Sequence, residues 1–306
     1  MRDVGTGLES APAVATLDVG GTHVTAALVE TRTWTTVAGS RHRRGLDAKG
    51  TAGEIVGTLA SALDTLGSMS GRTVGIAMPG PFEYATGIGR FRDVGKFDGL
   101  DGVDVRAALT RALDPAPERI VFLNDAVAFA LGELRRGVLA GRRRGVAITL
   151  GTGVGSAFVA GGRVVTEGIG VPPEGRADLL RIDGAPLEDV VSRRAILARY
   201  RRRSARGATD VATLAGLARA GDPGAAESLS TPLTALGRAL APWLADFEAE
   251  ALVLGGGIAA SFDLVAPPLR AGLLRTRPSL AALPIELTTG FEQSVEAGAA
   301  WHAITT

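Results

Sequence analysis

The chain has 306 residues, 46% of them hydrophobic, a formal net charge of +1 and no cysteine. That length and apolar content can fill two cores, and the lack of cysteine excludes disulfides, thiolate nucleophiles and cysteine-ligated zinc together. Near-neutral charge gives no global field to gather nucleic acid or a membrane surface, no run of about 18 apolar residues is present, and a cytoplasmic protein with neither partner is expected.

Residues 1–13 combine Gly, Ser, Pro and charge without periodicity and read as a disordered tail. Ala15–Val19 is a candidate strand that enters Gly20-Gly21-Thr22 and then a second β-rich run from His23 to Val29. The turn therefore joins strand to strand, unlike a Walker loop, whose Gly-Lys-Ser/Thr ending occurs nowhere here. Small residues let backbone N–H groups approach an anion closely, so the turn reads as a phosphate cradle. Asp18 stands mid-strand, where a carboxylate is disfavoured without a task. It either bonds its own backbone or, beside a phosphate turn, holds Mg2+ through water.

Ile55, Leu59, Leu63 and Leu66 recur at helical spacing over residues 51–67, and Val74–Met78 is the strand after them. Pro79-Gly80-Pro81 closes that strand with a rigid bend, and residues 83–105, rich in Gly, Asp and aromatics, read as a surface excursion. Arg119–Leu123 is a short buried strand followed by helix formers from Ala126 to Leu134. Between them stand Asn124 and Asp125, at the strand end where α/β proteins commonly place ligand-binding groups; Asp125 could equally cap the helix.

Val146–Leu150 and Ala157–Ala160 flank a second glycine turn, Gly151-Thr152-Gly153-Val154-Gly155-Ser156. Two such cradles suggest a nucleotide held between two lobes. Gly161-Gly162 makes a hairpin, Thr166–Asp183 is irregular, and a helix is expected from Leu187 through Ser192 and Ile196 towards Tyr200. With 31 of the 33 cationic residues being arginine, the runs Arg142–Arg144 and Arg199–Arg206 read as solvated faces or patches for an acidic partner. Helical patterns follow over Val211–Ala220 and Pro223–Glu250, then a strand, Ala251–Leu254. Gly255-Gly256-Gly257 fits a dinucleotide turn by its glycines, but no βαβ unit with an acidic residue about 20 positions on is expected, because that region is Thr276-Arg277-Pro278. The chain closes with strand Ile285–Thr288 and helix Val295–Ile304.

The ordered set LDVGGTH, PGP, ND, LGTGVGSA, PLED and LGGGI resembles the ROK family of sugar kinases and related repressors over nearly the whole chain. The resemblance implies an α/β, two-lobed actin-like ATPase fold of the ribonuclease H-like kind. A small lobe is expected at residues 14–117, rejoined by the C-terminal helix at 291–306, and a large lobe at 118–290. It also implies ATP and Mg2+ as cofactors, a homodimer, and transfer of the γ-phosphate to a sugar or sugar-like hydroxyl. Carried over residue by residue, Asp125 matches the catalytic base and Asn124 its sugar-contacting neighbour. Gly80, Glu174 and Glu188 fall among the substrate contacts. Gly20, Gly21, Thr22, His23, Gly151, Thr152 and Gly153 match the phosphate turns, and Gly255, Gly256 and Gly257 the adenosine turn.

Two departures bear on the substrate. Pro173-Glu174-Gly175-Arg176-Ala177-Asp178 replaces the family's Gly-Glu-x-Gly-His element and cysteine cluster, so no zinc is expected. The asparagine expected after Pro-Gly-Pro has no counterpart around Arg92-Asp93-Val94-Gly95-Lys96. These changes point away from plain glucose and towards an amino sugar or a cyclitol. Repressor members carry a DNA-binding domain ahead of the first glycine strand, which Met1–Ala13 is too short to hold. A catalytically silent sugar sensor and, more distantly, a nicotinamide oxidoreductase are the competing readings.

Overall fold

A computed structural model describes residues 12–204 and 207–306. The expected disordered tail lies outside them except for Pro12 and Ala13, and Ala13 already opens the first strand. The chain divides into two compact units, one running to Ala128 and resuming at Glu296–Thr306, the other formed by Phe129–Val295.

The first unit contains β1 (Ala13–Val19), β2 (His23–Glu30), β3 (Thr35–Thr36), β4 (His42–Gly45), α1 (Ala52–Asp64), β5 (Thr73–Met78), β6 (Phe82–Glu83), β7 (Ile88–Gly89), α2 (Val105–Ala112), β8 (Arg119–Asn124) and the first turn of α3 (Asp125–Arg136). Its main sheet runs β3-β2-β1-β5-β8, with β4 also on β2; β1, β5 and β8 are parallel, and β1–β2 is an antiparallel hairpin. Because β8 pairs with β5 from Thr73↔Arg119 to Met78↔Asn124, residues 119–124 belong to this unit, and the division falls after Ala128 instead of before residue 118.

α1 forms because Thr51 and Glu54 make a reciprocal capping box and Ile55, Leu59 and Leu63 bury one stripe against the sheet core. The expected surface excursion at 83–105 is corrected. Phe91, Phe97 and Leu100 are fully buried in the same core, and the rings of Phe91 and Phe97 lie 5.3 Å apart. Large aromatic rings contribute more by burial than any repeat pattern there reveals.

The second unit contains β9 (Arg144–Leu150), β10 (Val154–Ala160), β11 (Arg163–Val165), β12 (Arg181–Ile182), β13 (Ala185–Pro186), α4 (Leu187–Val191), α5 (Arg193–Arg201), α6 (Val211–Arg219), α7 (Pro223–Asp246), β14 (Ala251–Gly255), α8 (Phe262–Thr276), β15 (Ile285–Leu287) and the start of α9 (Phe291–Thr305). Its sheet runs β11-β10-β9-β14-β15. The single helix expected from Leu187 to Tyr200 is two. Ser192 has extended backbone (ψ 158°), ends α4 and caps α5 by accepting from the Ala195 N–H at 3.4 Å.

The last part of α9 lies on the first unit's sheet, where a Cβ on Gly75 would stand 2.3 Å from the Ala299 carbonyl oxygen. On the same helix the fully buried Glu296 carboxylate accepts from Arg41 Nε and Nη2, both at 2.7 Å, and from the Thr36 hydroxyl. Removing one partner of such a pair strands a charge in the core. Arg41→Met is therefore expected to lower unfolding free energy by about 3 kcal/mol in urea titrations, while a loss below about 1 kcal/mol would mean the pair behaves like a surface bridge.

Candidate active site

In the first unit the carboxyl ends of β1, β5 and β8 are neighbours, with Asp18 opposite Ala77 and Met78 opposite Asn124. Asp18, the Gly20–Thr22 turn, the Pro79–Pro81 bend and the Asn124-Asp125 pair thus share one edge of a sheet, the edge where parallel strands commonly present ligand groups. The Gly20 N–H donates to the His23 carbonyl at 2.8 Å and closes the turn. The His23 ring packs on Gly20, where a Cβ would stand 3.3 Å from it, and Nδ1 lies 3.2 Å from Thr22 Oγ1. Gly21 faces open space, with no heavy atom within 4 Å of where its Cβ would stand.

Asn124 Oδ1 accepts from the N–H groups of Ala126 (2.9 Å) and Val127 (3.3 Å), so Asn124 caps α3. Its Nδ2 donates to the Tyr84 hydroxyl at 3.1 Å, which donates to the Met78 carbonyl at 3.2 Å. A Cβ on Gly80 would lie 3.4 Å from that same hydroxyl, so Tyr84 joins the bend to the Asn-Asp pair. Sequence reasoning missed Tyr84; the aromatic richness of 83–105 was its only signal.

Asp125 opens α3, with its carboxylate accepting from the Ala126 N–H at 2.9 Å. Burial pushes its carboxyl above the ordinary aspartate range, offset in part by the Ala126 N–H, the Lys96 ammonium and Asn124. A carboxylate serving as a base must be ionised, so such a role for Asp125 would put the acid limb of kcat/KM at a pH above that of a free aspartate. The same shift means that the folded state holds this proton more tightly than the unfolded chain. Its stabilising contribution is present at low pH and is lost as pH rises through the folded-state value. Asp125→Asn is thus expected to melt higher than the parent at pH 7, with the gap shrinking towards pH 4; a gap that widens on acidification would contradict this.

In the second unit the turn at 151–153 links β9 to β10, and β14 runs parallel to β9 with Gly255 opposite Thr149. The Leu150 carbonyl accepts from the Ile258 N–H at 3.0 Å, which ties this turn to the one at 255–257. Gly256 has φ +89°, and a Cβ there would stand 2.5 Å from the Leu150 oxygen. Gly151 and Gly257 face open space. Glu188, in the first turn of α4, brings Oε1 to 2.1 Å from where a Gly153 Cβ would be. Glu174 lies elsewhere, at φ +58°, pairing with Arg176 at 3.5 Å and lining a depression of about 620 Å3 with Glu167 and Trp243.

Thr152 borders a smaller depression of about 280 Å3 with Arg193, Arg194 and Arg201, and the Arg193 N–H donates to the Gly151 carbonyl at 3.0 Å. Arg201, read as part of a solvated run, therefore stands by the glycine turn. β14 and β15 are parallel with α8 between them, which makes a βαβ unit. No acidic residue follows at the ribose-binding spacing even so, because Thr276-Arg277-Pro278 is there. Among the described residues no three His, Cys, Asp or Glu side chains gather to hold a metal, and no helix is long and apolar enough to cross a membrane.

Residues 14–277 match the sequence model of the ROK family. The chain belongs to that family. It is 33% identical over 220 residues to a glucokinase of Thermotoga maritima, covering 64% of this chain and 67% of that one. A ROK family glucokinase from Streptomyces griseus, solved with glucose and AMPPNP, superposes with a TM-score of 0.78 at 22% identity over 96% of this chain and all (100%) of that one. An inorganic polyphosphate/ATP-glucomannokinase from Arthrobacter sp. strain KM gives 0.69 at 25% identity, covering 96% of this chain and 99% of that one. The fold of this ROK protein is accordingly the actin-like ATPase fold, with an α/β unit built on a mixed sheet in each half.

Proposed function

We propose that this ROK protein is an ATP-dependent kinase that moves the γ-phosphate of ATP to a ring hydroxyl of an amino sugar or cyclitol, with Asp125 as base. Family membership and the likeness to glucokinases support a carbohydrate kinase. One observation carries the residue-level reading. Asn124 accepts from both the Ala126 and Val127 N–H groups and so caps α3, which leaves the Asp125 carboxylate, half-buried at that strand end and sharing only the Ala126 N–H with it, not needed as the cap.

In this reading the acceptor hydroxyl loses its proton to Asp125 as its oxygen bonds to the γ-phosphorus and the bond to the β,γ-bridging oxygen breaks, releasing ADP. Gly80, Asn124 and Glu188 are the proposed substrate contacts. The turns at Gly20–Thr22 and Gly151–Gly153 would receive phosphates, with His23 shaping the first. Gly255–Gly257 would lie under the adenosine. The open space at Gly21, Gly151 and Gly257 fits an approach of that kind. A single carboxylate suits Mg2+, which keeps several waters and takes its other ligands from phosphate, so Asp18 would hold it through water and Mg2+ would supply charge neutralisation on the triphosphate. The arginines beside Thr152 fit a polyphosphate chain of the donor. The family reading extends to a cytoplasmic homodimer without zinc, and sedimentation and elemental analysis test those two points.

The reading is tested by ADP release from Mg-ATP across neutral hexoses, amino sugars and cyclitols. Acceptor-dependent ADP formation is expected. No turnover with any acceptor, together with no ATP binding in calorimetry, would leave a sugar-binding protein without kinase activity.

A further inference from the structure

Tyr84 lies in no motif, yet its hydroxyl is tied at three points to the strand ends that lead to Asp125. It accepts from Asn124 Nδ2 at 3.1 Å and donates to the Met78 carbonyl at 3.2 Å, and a Cβ on Gly80 would stand 3.4 Å from it. Met78 and Asn124 are opposite each other at the ends of β5 and β8. One phenol therefore bridges two adjacent strands and the bend that follows the first. The ring is backed by Phe82, whose centroid lies 5.5 Å from it and 5.0 Å from Phe122 of β8.

The phenol also decides how the Asn124 amide is used. Such an amide has two lone pairs on oxygen and two N–H donors. Oδ1 takes the N–H groups of Ala126 (2.9 Å) and Val127 (3.3 Å), and Nδ2 gives one hydrogen to Tyr84. Held at both ends, the amide cannot turn, and one N–H is left over. Asn124 Oδ1 and Asp125 Oδ1 share the Ala126 N–H, each at 2.9 Å, so a rotation of the amide is felt by the Asp125 carboxylate.

We infer that Tyr84 is a positioning residue of the transfer site: through Asn124 it holds the first turn of α3 and the Asp125 carboxylate in place beside the Pro79–Pro81 bend, and it leaves Asn124 a single N–H to donate to the acceptor. This rests on the kinase reading above. With both lone pairs of Oδ1 spent on α3, the Asn124 side chain can only donate, so the acceptor atom it meets is an oxygen with a free lone pair. Removing the Tyr84 hydroxyl frees Nδ2 to turn and gives Asn124 a second loose donor. Small misplacements of this kind cost turnover, and none of these bonds involves the Gly20–Thr22 turn, so nucleotide affinity is spared.

The test is kcat and acceptor KM of Tyr84→Phe on the full chain, with Mg-ATP and the best acceptor, in the parent and in an Asn124→Ser background. Serine still caps a helix but offers Tyr84 no amide. Tyr84→Phe is expected to lower kcat about tenfold in the parent, with acceptor KM raised by less than about threefold and AMPPNP affinity in calorimetry within about twofold. In the Asn124→Ser background the same substitution should change kcat by less than about twofold, because its effect passes through the missing amide. A phenol that only packs would lower the melting temperature without this dependence on residue 124. A folded Tyr84→Phe variant with kcat within about twofold of the parent, or an equal loss in both backgrounds, would overturn the inference while leaving the kinase reading intact. No turnover by the parent with any acceptor would overturn both.

Discussion

Asp125→Asn is expected to lower kcat by about 1,000-fold or more while ATP affinity stays within about twofold. The amide keeps the size of the carboxylate and an oxygen to accept from the Ala126 N–H at 2.9 Å, and Asn124 continues to cap α3, so the backbone has no reason to move. On the proposed reading, what is lost is the ability to take the hydroxyl proton as the new bond to phosphorus forms. Steady-state ADP release and calorimetric titration with AMPPNP separate the two quantities. A variant retaining more than about a tenth of parental activity would put the base elsewhere, and one that no longer binds nucleotide would make Asp125 a structural residue.

Gly256→Ala is expected to cost about 3 kcal/mol of stability and to weaken ATP binding at least tenfold. Two costs combine at this position. Its φ of +89° is disfavoured for any residue with a Cβ, and that Cβ would stand 2.5 Å from the Leu150 oxygen. The oxygen cannot retreat freely, because it accepts from the Ile258 N–H at 3.0 Å and ends the strand that leads into Gly151–Gly153. Displacing it shifts both turns together. Gly257→Ala is the control, since no heavy atom lies within 4 Å of the new methyl. It should leave stability within about 0.5 kcal/mol. Equal destabilisation by the two substitutions would show that the Leu150 contact is not what requires glycine at 256.

The β-turn-β hairpins were legible because alternation and glycine clusters are local signals, and β1, β2 and β9 lie where the pattern indicated, while β10 begins at Val154, inside the stretch read as turn. The carboxyl end of β8 was legible for the same reason, through a short apolar run followed by Asn124-Asp125. Other features depend on partners distant in sequence. Phe91 and Phe97 have no periodicity because isolated rings, not a repeating face, anchor their segment. Ser192 hides inside a continuous amphipathic pattern, where an extended backbone and an N-cap are invisible to helical spacing.

The domain boundary was displaced because pairing of β8 with β5 is a long-range fact. Both strands of the βαβ unit were legible, but their parallel pairing is likewise a long-range fact. Glu133 and Glu296 look like surface residues of helices in the sequence, yet both are buried. Glu133 accepts from Thr288 Oγ1 at 2.5 Å and Ser294 Oγ at 2.7 Å, partners more than 150 positions away. Tyr84 belongs to the same category, since it lies in no motif and its bond to Asn124 arises only when β5, β8 and the intervening segment fold together.

The most direct measurement follows the fate of the γ-phosphorus by 31P NMR in a mixture of the protein, Mg-ATP and its best acceptor. A new phosphate monoester resonance should grow in step with ADP, with one ester formed per ATP consumed and none with Asp125→Asn. Intact ATP beside a bound acceptor, or inorganic phosphate as the sole new phosphorus species besides ADP, would contradict the account.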